Sequence, residues 1–578
     1  MEIRISKAIA RHLGEERLRM LGVELASYGW REDAHVDLRN LNETEIEKLR
    51  GWLDDMVKLG TRGPKVIIRD IDVWTRALKD ASGEKARTLR QFATLLTEYL
   101  RGVPGHRIYQ KFDSDGDVWL CYYAAHVEFH PAERSNRGGT VPAYVDVDLV
   151  YEEFGGRNGN SINFHAEDAV GMTPVEALAE KRYYVEIDEY RARYKAEVAR
   201  FVAITPQIGR QYLSVGTGTD DLDGNDSAED RWSSRLGHGS YVMLRDGVPS
   251  RVVIDVYKEG EDKDRDRYID VHPFFWRRNK QTKVVGEMEE EIEYDEKDGL
   301  PSAIEIPIHP FCAVFDLRRH LRMRVHVNYL TEYVYDEQMA EKLILPEEVK
   351  DLVATLVDHS RATFEDIVRG KAGGVCVLLT GRPGVGKTLT AEVFAESSKR
   401  ALYSIQASQL GLNPVELEKR LLRALSRGSR WNAVVLIDEA DVYVAPRGDD
   451  LIQNAIVGVF LRVLEYQSSV LFLTTNRADS VDDAIESRCI ARIDYRAPTM
   501  AEQHDIWRVL SEINDSSLAA TSIGRITTAH PDLTGRDIKQ LLKLASVVAA
   551  QRKTHVTPEI IDFVARFRPN KPTNGVVK

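Results

Sequence analysis

Cysteine is scarce in this sequence, with four residues in a chain of 578. Cys121, Cys312, Cys376 and Cys489 lie far apart and form no CxxC pair, which argues against a disulfide scaffold and against a zinc ribbon. The sequence also lacks any apolar run near the ~20 residues that a membrane-spanning helix needs, and its charged N-terminus has no signal-peptide core. We therefore expect reduced thiols, no membrane association and a cytoplasmic location.

An excess of positive charge is missing as well. The chain has 79 Lys and Arg against 91 Asp and Glu, for a formal net charge of −12. The acidity is uneven, because residues 351–578 carry 29 basic and 27 acidic side chains whereas residues 1–350 carry 50 and 64. Non-specific nucleic-acid affinity depends on clustered Lys and Arg. The acidic front region therefore disfavours nucleic acid as a partner, although this charge count does not exclude a local basic groove.

The length and composition are those of a soluble multidomain protein. Hydrophobic residues make up 43% of the chain and charged residues 29%, and the length suggests roughly three to five domains. We predict an N-terminal α/β region at residues 1–125, because apolar residues recur at helical spacing in 45–58 and 85–100. A β-rich mixed region is expected at residues 126–345, where short alternating runs are cut by Gly and Pro.

Several local predictions concern that second region. A helix is expected at 174–202, a loop at 216–234, which is dense in Gly, Asp and Ser, and a strand at 303–308. The acidic run at 287–298 is expected to be a solvated loop or a sheet edge. No catalytic constellation emerges before residue 350, so the chemistry is expected further along the chain.

A domain boundary is predicted near residues 341–350. Pro346 opens an expected helix at 347–359. Proline is favoured at a helix start because the amide hydrogen it lacks would have no partner within the helix there. Beyond this point apolar strand-like runs alternate with helices, which is the pattern of a parallel α/β sheet.

The clearest motif is a phosphate-binding loop. An apolar run at 375–380 leads into GRPGVGKT at 381–388 and then into a helical segment, the order that such a loop requires. The glycines let the backbone aim amide hydrogens at phosphate oxygens, and the helix N-terminus adds a favourable dipole. Lys387 is expected to reach the β- and γ-phosphates of ATP, and the Thr388 hydroxyl to ligate Mg²⁺. The residues expected to hold the nucleotide are Gly381, Pro383, Gly384, Val385, Gly386, Lys387, Thr388 and Leu389.

Two acids follow a later buried strand. The apolar residues 433–437 end in Asp438 and Glu439. A carboxylate at the exit of a buried strand needs a partner, and a neighbouring phosphate loop supplies one. We expect Asp438 to contact the nucleotide and to hold Mg²⁺ together with Thr388, and Glu439 to act as general base on the attacking water. Two N-capping acids at a helix start are the alternative.

A third apolar strand and the segment after it supply two further candidates. The strand at 470–473 leads to Asn476, whose carboxamide can orient the same water or contact the γ-phosphate; a plain turn residue is the alternative. In DDAIESRCIAR at 482–492, Arg488 is placed to act as an arginine finger on the nucleotide of a neighbouring subunit. Surface ion pairing is the alternative for Arg488, and more so for Arg492.

These motifs resemble those of the AAA+ family of ATPases over residues from about 313 to 566. They are Walker A GRPGVGKT, Walker B VVLIDEAD, sensor 1 TTN and the arginine-finger region SRC. Within the family the chain is similar to AAA ATPases of fungi and bacteria that carry a long N-terminal region of unassigned role. The stretches that carry this closer resemblance are FEDIVRGKAGG, ALYSIQASQLGLNPVELEKRL, WNAVVLIDEADVYVAPR, NAIVGVFLRVLEYQSSVLFLTTNR and LTGRDIKQLLKLA.

The resemblance implies an α/β fold class with a P-loop AAA+ core. That core, a parallel sheet with flanking helices, is expected at residues 346–498 as the large ATPase domain. A C-terminal helical lid is expected at 499–568 and a tail at 569–578. A mixed α+β region is expected to precede the core.

The resemblance also implies a function and partners. Arg536 corresponds to a sensor 2 arginine that contacts the nucleotide from the lid; an exposed arginine at a helix start is the alternative. The chain is expected to form a homo-oligomeric ring, as a hexamer, and to use ATP and Mg²⁺ to remodel a protein client or adaptor bound through residues 1–345. The first pore loop, at 408–412, lacks the aromatic residue that grips a threaded polypeptide. A clamp-loader-like switch on nucleic acid and an ATP-gated regulatory scaffold remain open alternatives.

Overall fold

The computed structural model describes most of the chain. The described residues are 3–22, 35–38, 41–59, 64–79, 83–111, 118–134, 140–153, 156–220, 241–244, 249–255, 279–285, 288–294, 306–358, 374–465, 467–477, 480–514, 516 and 518–568. Within these stretches, no helix has the length and apolar character needed to cross a membrane.

The N-terminal residues form an antiparallel strand pair that packs against helices. Ile5, Leu38 and Leu49 are fully buried between these elements. The helix predicted near residue 45 begins at a capping box, in which the side chains of Asn42 and Glu45 each accept a hydrogen bond from the other's backbone amide. The elements are β1 (Ile3–Ser6), α1 (Lys7–Leu13), α2 (Glu15–Arg19), β2 (His35–Leu38), α3 (Glu43–Lys58) and α4 (Pro64–Lys79).

An antiparallel five-stranded sheet follows, with strand order β8-β7-β4-β3-β9. The predicted division between residues 125 and 126 is wrong, because it falls inside β4, which pairs with β3 on one side and β7 on the other. The elements are α5 (Leu89–Gly102), β3 (Arg107–Lys111), β4 (Trp119–His130), β5 (Glu133–Arg134), β6 (Thr140–Val141), β7 (Tyr144–Glu153), β8 (Gly156–Phe164), α6 (Ala166–Ala169), α7 (Pro174–Glu180) and β9 (Tyr183–Val185).

A second antiparallel sheet has seven strands in the order β12-β11-β17-β16-β13-β10-β18. A separate hairpin, β14-β15, contains residues 288–294 of the acidic run, in agreement with the predicted sheet edge; residues 287 and 295–298 lie outside the described residues. The elements are α8 (Asp188–Ile204), β10 (Gln211–Ser214), β11 (Gly216–Asp220), β12 (Tyr241–Leu244), β13 (Ser250–Ile254), β14 (Asn279–Val285), β15 (Met288–Tyr294), β16 (Phe311–Asp316), β17 (Leu321–His326) and β18 (Leu330–Glu332).

Three local predictions in this region are corrected by the structure. The helix predicted at 174–202 is interrupted by β9, because its residues complete the sheet edge beside β3. The predicted loop at 216–234 begins with β11, which pairs with strands on both sides; residues 221–234 lie outside the described residues. The strand predicted at 303–308 is displaced to β16, whose six residues are all buried, while the described residues 306–308 lie outside any strand.

A five-stranded parallel sheet follows, in the order β20-β21-β22-β19-β23. Cys376 and Leu378 enter one core cluster, while Val377 and Leu379 enter another, so both sheet faces are covered as the apolar runs predicted. The elements are α9 (Glu347–Asp358), β19 (Val375–Gly381), α10 (Lys387–Ser397), β20 (Leu402–Gln406), α11 (Ala407–Leu410), α12 (Pro414–Trp431), β21 (Val434–Asp438), α13 (Leu451–Glu465), β22 (Val470–Thr475), α14 (Asp483–Glu486) and β23 (Ala491–Tyr495).

Helices form the C-terminal part, in agreement with the predicted lid. Trp507 is fully buried and packs in one cluster with Ile538 and Ile561. The Thr499 side chain caps the first of these helices. The predicted tail at 569–578 lies outside the described residues. The helices are α15 (Met500–Ile513), α16 (Ala520–Ala529), α17 (Gly535–Gln551) and α18 (Pro558–Ala565).

The seven-stranded sheet packs directly against the parallel-sheet domain. Asp255, 1% exposed, accepts two hydrogen bonds from Nη2 of Arg430, at 2.8 and 2.9 Å. The Phe315 ring lies 5.0 Å from the Trp431 ring and 5.6 Å from the Tyr403 ring, measured between centroids. One hydrophobic core therefore runs across the boundary between the two domains.

Candidate active site

The phosphate loop joins β19 to α10 and is pressed closely against its surroundings. Gly381 has φ 140°, and a Cβ atom at this position would lie 2.4 Å from the carbonyl oxygen of Tyr495. Gly384 has φ 84°, and a Cβ atom there would lie 2.9 Å from Cβ of Arg536 in the lid. Only glycine fits both the backbone angle and the space at these two positions.

Lys387 begins α10 and turns back over the loop. Its Nζ atom donates to the carbonyl oxygens of Gly381 at 2.6 Å and Arg382 at 2.9 Å, and to Oδ1 of Asn476 at 2.9 Å. Burial lowers the pKa of Lys387, while Asp438 opposes this shift. The structure thus brings together two predicted site residues that are 89 positions apart.

Thr388 and Asp438 form the second contact between predicted residues. The Thr388 hydroxyl donates to Oδ1 and Oδ2 of Asp438 at 3.0 and 3.2 Å, and the Thr474 hydroxyl also donates to Oδ1. Thr388 lies in the helix that follows β19, and Asp438 ends β21. The strand β22, which carries Thr474, lies between β19 and β21 in the sheet. A hydroxyl and a carboxylate side by side are hard oxygen donors of the kind that Mg²⁺ takes beside a nucleotide phosphate.

Glu439 follows Asp438 in a left-handed backbone conformation, with φ 56° and ψ 43°. This conformation costs a non-glycine residue free energy, and the Thr474 hydroxyl accepts a hydrogen bond from the Glu439 amide at 2.9 Å. Glu439 precedes the short 3-10 helix Ala440–Val442, yet its side chain makes no capping hydrogen bond. The N-capping alternative therefore has no support at Glu439, and the residue lines the cavity described below.

Asp441 is a site-supporting residue that the sequence analysis missed. Its Oδ1 atom accepts hydrogen bonds from the Thr475 hydroxyl at 2.6 Å and from the Asn476 backbone amide at 2.9 Å. Asp441 thereby holds the end of β22 against the segment after β21. The available signal was the third acid in IDEAD, two positions after Glu439.

One cavity of about 550 Å³ joins these groups, a volume within the usual range of a ligand pocket. Its apolar wall is built by residues that sequence analysis did not single out, from the segment before α9, the first turn of α9 and the lid: Leu345, Val349, Ile506, Val509 and Leu510. The predicted residues that line the cavity are Pro383, Gly384, Val385, Gly386, Lys387, Thr388, Leu389, Asp438, Glu439, Asn476 and Arg536. Gly381 is not among the lining residues, and its carbonyl oxygen accepts a hydrogen bond from Lys387.

The lid closes the cavity from the side of α17. The Thr534 side chain caps this helix, and the Arg536 amide donates to the Gly384 carbonyl at 3.2 Å. Lys539 and Glu392 also line the cavity and were missed by the sequence analysis. Burial raises the pKa of Glu392, and the positive charge of Lys539 opposes that shift.

Arg488 is not among the residues that line the cavity. Its Nη1 atom donates to the Ala484 carbonyl at 3.0 Å, and its Nη2 atom lies 3.8 Å from Glu465, a loose pair between partly exposed side chains. Arg492 instead pairs closely with Asp494 and Glu486, as its surface-ion-pair alternative predicted.

Comparison with known proteins identifies the domain that contains this site. Residues 377–496 match the model of the ATPase family associated with various cellular activities (AAA). Fidgetin-like protein 1 of Homo sapiens is 28% identical over 251 residues, which are 38% of this chain and 37% of that protein. The ATP-dependent zinc metalloprotease FtsH of Ureaplasma parvum serovar 3 is 28% identical over 241 residues, 39% of this chain and 33% of that protein.

A solved structure of the FIGL-1 AAA domain in complex with ADP covers 42% of this chain and 87% of that chain, with 21% identity and a TM-score of 0.34. The chain spans little more than a third of the length of the human relative and a third of the bacterial one. Residues 377–496, the part of the chain that contains most of the predicted residues of this cavity, are therefore similar to the AAA family of ATPases.

Proposed function

We propose that this protein is an ATP-hydrolysing motor that works as a homo-oligomeric ring and remodels a protein client. The observation that carries the proposal is the convergence of a lysine, a hydroxyl, carboxylates, a carboxamide and a lid arginine on one cavity. These groups are Lys387, Thr388, Asp438, Glu439, Asn476 and Arg536. Together they supply each kind of group that cleavage of a phosphoanhydride by water requires.

Each residue has a distinct task in this reaction. Lys387 neutralises charge on the β- and γ-phosphates, and Arg536 contacts the nucleotide from the lid. Thr388 and Asp438 hold Mg²⁺, which when bound supplies positive charge to the phosphate oxygens. Glu439 accepts a proton from water as the water oxygen attacks the γ-phosphorus and ADP departs. Asn476, held by Lys387 and Asp441, orients the water or contacts the γ-phosphate.

The position of Arg488 supports the proposal of a ring. This arginine is on the surface of its own chain and away from its own cavity, where it is available to the nucleotide of a neighbouring copy. Positive charge supplied by such a residue stabilises the γ-phosphoryl oxygens in the transition state. We propose a hexamer in the cytoplasm, with catalysis at each junction between subunits.

Residues 1–345 would bind the client or adaptor. Their seven-stranded sheet shares a core with the ATPase domain, which provides a rigid path between client and nucleotide. Asp255 and Arg430 anchor that contact with a buried, charged hydrogen-bond pair. The first pore loop, without an aromatic residue, favours remodelling or disassembly over processive threading.

Complementation between two inactive variants tests the shared site. Glu439→Gln removes the base and leaves Arg488, whereas Arg488→Ala removes the finger and leaves Glu439. Each variant alone should hydrolyse ATP poorly, and their mixture should regain a substantial fraction of wild-type turnover, because mixed junctions contain both groups. Arg492→Ala is the matched control, and this variant alone should hydrolyse ATP at the wild-type rate. Failure of the mixture to regain activity, with turnover per chain independent of protein concentration, contradicts the ring mechanism.

A further inference from the structure

Two of the four thiols meet outside the nucleotide cavity. The Sγ atoms of Cys376 and Cys489 lie 3.4 Å apart, although the two residues are 113 positions apart in the chain. Cys376 lies on β19 and is 2% exposed, and Cys489 is partly buried directly after Arg488. Neither thiol lines the cavity, so ATP hydrolysis as proposed leaves the pair unused.

Backbone contacts keep the two cysteines side by side. The Ile490 amide donates to the Cys376 carbonyl at 2.8 Å, and the Cys489 amide donates to the Glu486 carbonyl at 3.0 Å. The sulfur atoms of a disulfide are about 2.05 Å apart, so bond formation requires an approach of roughly 1.3 Å. The remaining thiols, Cys121 and Cys312, are buried in two other core clusters.

We propose that Cys376 and Cys489 form a reversible disulfide when a peroxide oxidises them, and that this bond slows ATP turnover by displacing Arg488. The more accessible Cys489 thiolate first attacks a peroxide oxygen, which gives a sulfenic acid and hydroxide. The Cys376 thiolate then attacks the Cys489 sulfur; the S–S bond forms, the S–O bond breaks and hydroxide leaves. The two thiols lose two protons and two electrons, and one hydrogen peroxide becomes two waters.

The environment of Cys376 sets the order of events. Its hydrogen bond with Cys489 and its burial both raise the pKa of the Cys376 thiol well above the ordinary value. The thiolate is the reactive form, so the second step is the slower one at neutral pH. A sulfenic acid on Cys489 should therefore be open to capture by a dimedone-type reagent before the disulfide closes. A dithiol reductant reverses the bond by exchange.

The effect on turnover rests on the proposed role of Arg488 at the junction between subunits. Arg488 and Cys489 are adjacent in sequence and leave α14 together, so the movement of one sulfur moves the arginine. A displacement of about 1 Å in a catalytic group can lower the rate by as much as ~100-fold. We expect the oxidised protein to hydrolyse ATP at least roughly tenfold more slowly, with recovery after reduction.

The test uses the full chain, treated with hydrogen peroxide, quenched by alkylation and digested with trypsin. The expected product is a disulfide that joins the peptides 372–387 and 489–492, which hold Cys376 and Cys489. Cys489→Ser should lack this product and keep its turnover under peroxide. A Cys312→Ser variant is the matched control and should still form the link and lose activity. Peptide mapping of the peroxide-treated wild-type chain shows whether the disulfide forms, even if one variant folds poorly.

The outcomes are separable. Absence of the linked peptide under conditions that oxidise Cys489 to its sulfenic acid overturns the proposal. Formation of the link with unchanged turnover overturns the inhibition of ATPase activity through Arg488. If the reduced chain itself fails to hydrolyse ATP, the proposed function fails, whereas the peptide map still decides whether the two thiols pair.

Discussion

The Tyr333 hydroxyl donates a hydrogen bond of 2.9 Å to Glu396, in the last turn of the helix that Lys387 begins. Glu396 is 6% exposed, and its carboxylate also accepts the Asp336 amide at 3.1 Å and pairs with Arg251 at 3.6 Å. All three of these partners precede the ATPase domain in sequence. Hydrogen bonds and an ion pair thus connect the C-terminal end of α10 to the region proposed to bind the client.

Replacement of Glu396 by alanine should weaken this connection, because it removes the carboxylate that accepts these contacts. Tyr333 and Asp336 are partly buried, and a hydrogen bond to a charged group contributes about 1.5–3 kcal/mol. Hydrogen exchange at the Asp336 amide, which bonds to Glu396, should accelerate by roughly ten- to a hundredfold in the variant. Glu347→Ala, whose side chain is 79% exposed, is the control and should leave that amide unchanged. Equal exchange in all three proteins would show that the contact is not maintained in solution.

Replacement of Glu439 by glutamine should abolish turnover and leave ATP binding intact. The amide has nearly the shape of the carboxylate and accepts no proton, and general-base catalysis contributes about 10²–10⁴-fold to a rate. Phosphate release and nucleotide affinity, measured separately, distinguish the two effects. Glu486→Gln alters a surface ion pair outside the cavity and should retain activity. Unchanged phosphate release in Glu439→Gln would remove Glu439 from the role of base.

Asp441 should act as a positioning residue for Asn476. Its Oδ1 atom accepts both hydrogen bonds, and the amide oxygen of an asparagine at this position can accept the same two. Asp441→Ala should therefore lower kcat by roughly tenfold or more with little change in KM, and Asp441→Asn should recover most of it. A rise in KM alone, or no recovery in the asparagine variant, contradicts the positioning role.

The stability of the front region should fall in acid through His309. This ring is buried, and its Nε2 atom donates to the Cys121 carbonyl at 3.0 Å. Burial lowers its pKa to about 3. The unfolded chain, with an ordinary histidine pKa near 6.5, binds more protons between these values, so the free energy of unfolding decreases as pH falls from about 6.5 to about 3.

The measurement is chemical unfolding of the front region followed across that pH range. His309→Gln keeps a donor for the Cys121 carbonyl and does not titrate, so its unfolding should depend less on pH than that of the wild-type chain. His555→Gln changes an exposed histidine and serves as the control. Identical pH dependence in all three proteins would mean that His309 is protonated alike in the folded and unfolded states.

Much of the ATPase core was predictable because its signals are local. The strand, glycine loop and helix at the phosphate site are contiguous, so backbone requirements and chemistry appear together in one stretch. The parallel sheet was predictable from fully apolar strands separated by helices. The front region was harder to predict, since β9 interrupts an amphipathic segment and β11 consists largely of Gly and Thr, and both are strands only because neighbouring strands pair with them.

The sequence by itself determined the resemblance to AAA ATPases, the phosphate loop, the acids after β21 and the uneven charge, because each depends on residues close together in the chain. Only the tertiary structure decided which of these groups touch. The contact of Lys387 with Asn476, the support from Asp441 and the meeting of Cys376 with Cys489 join residues 34 to 113 positions apart. Such contacts depend on strand order and on the packing of separate cores, and no local pattern of residue types encodes either of them.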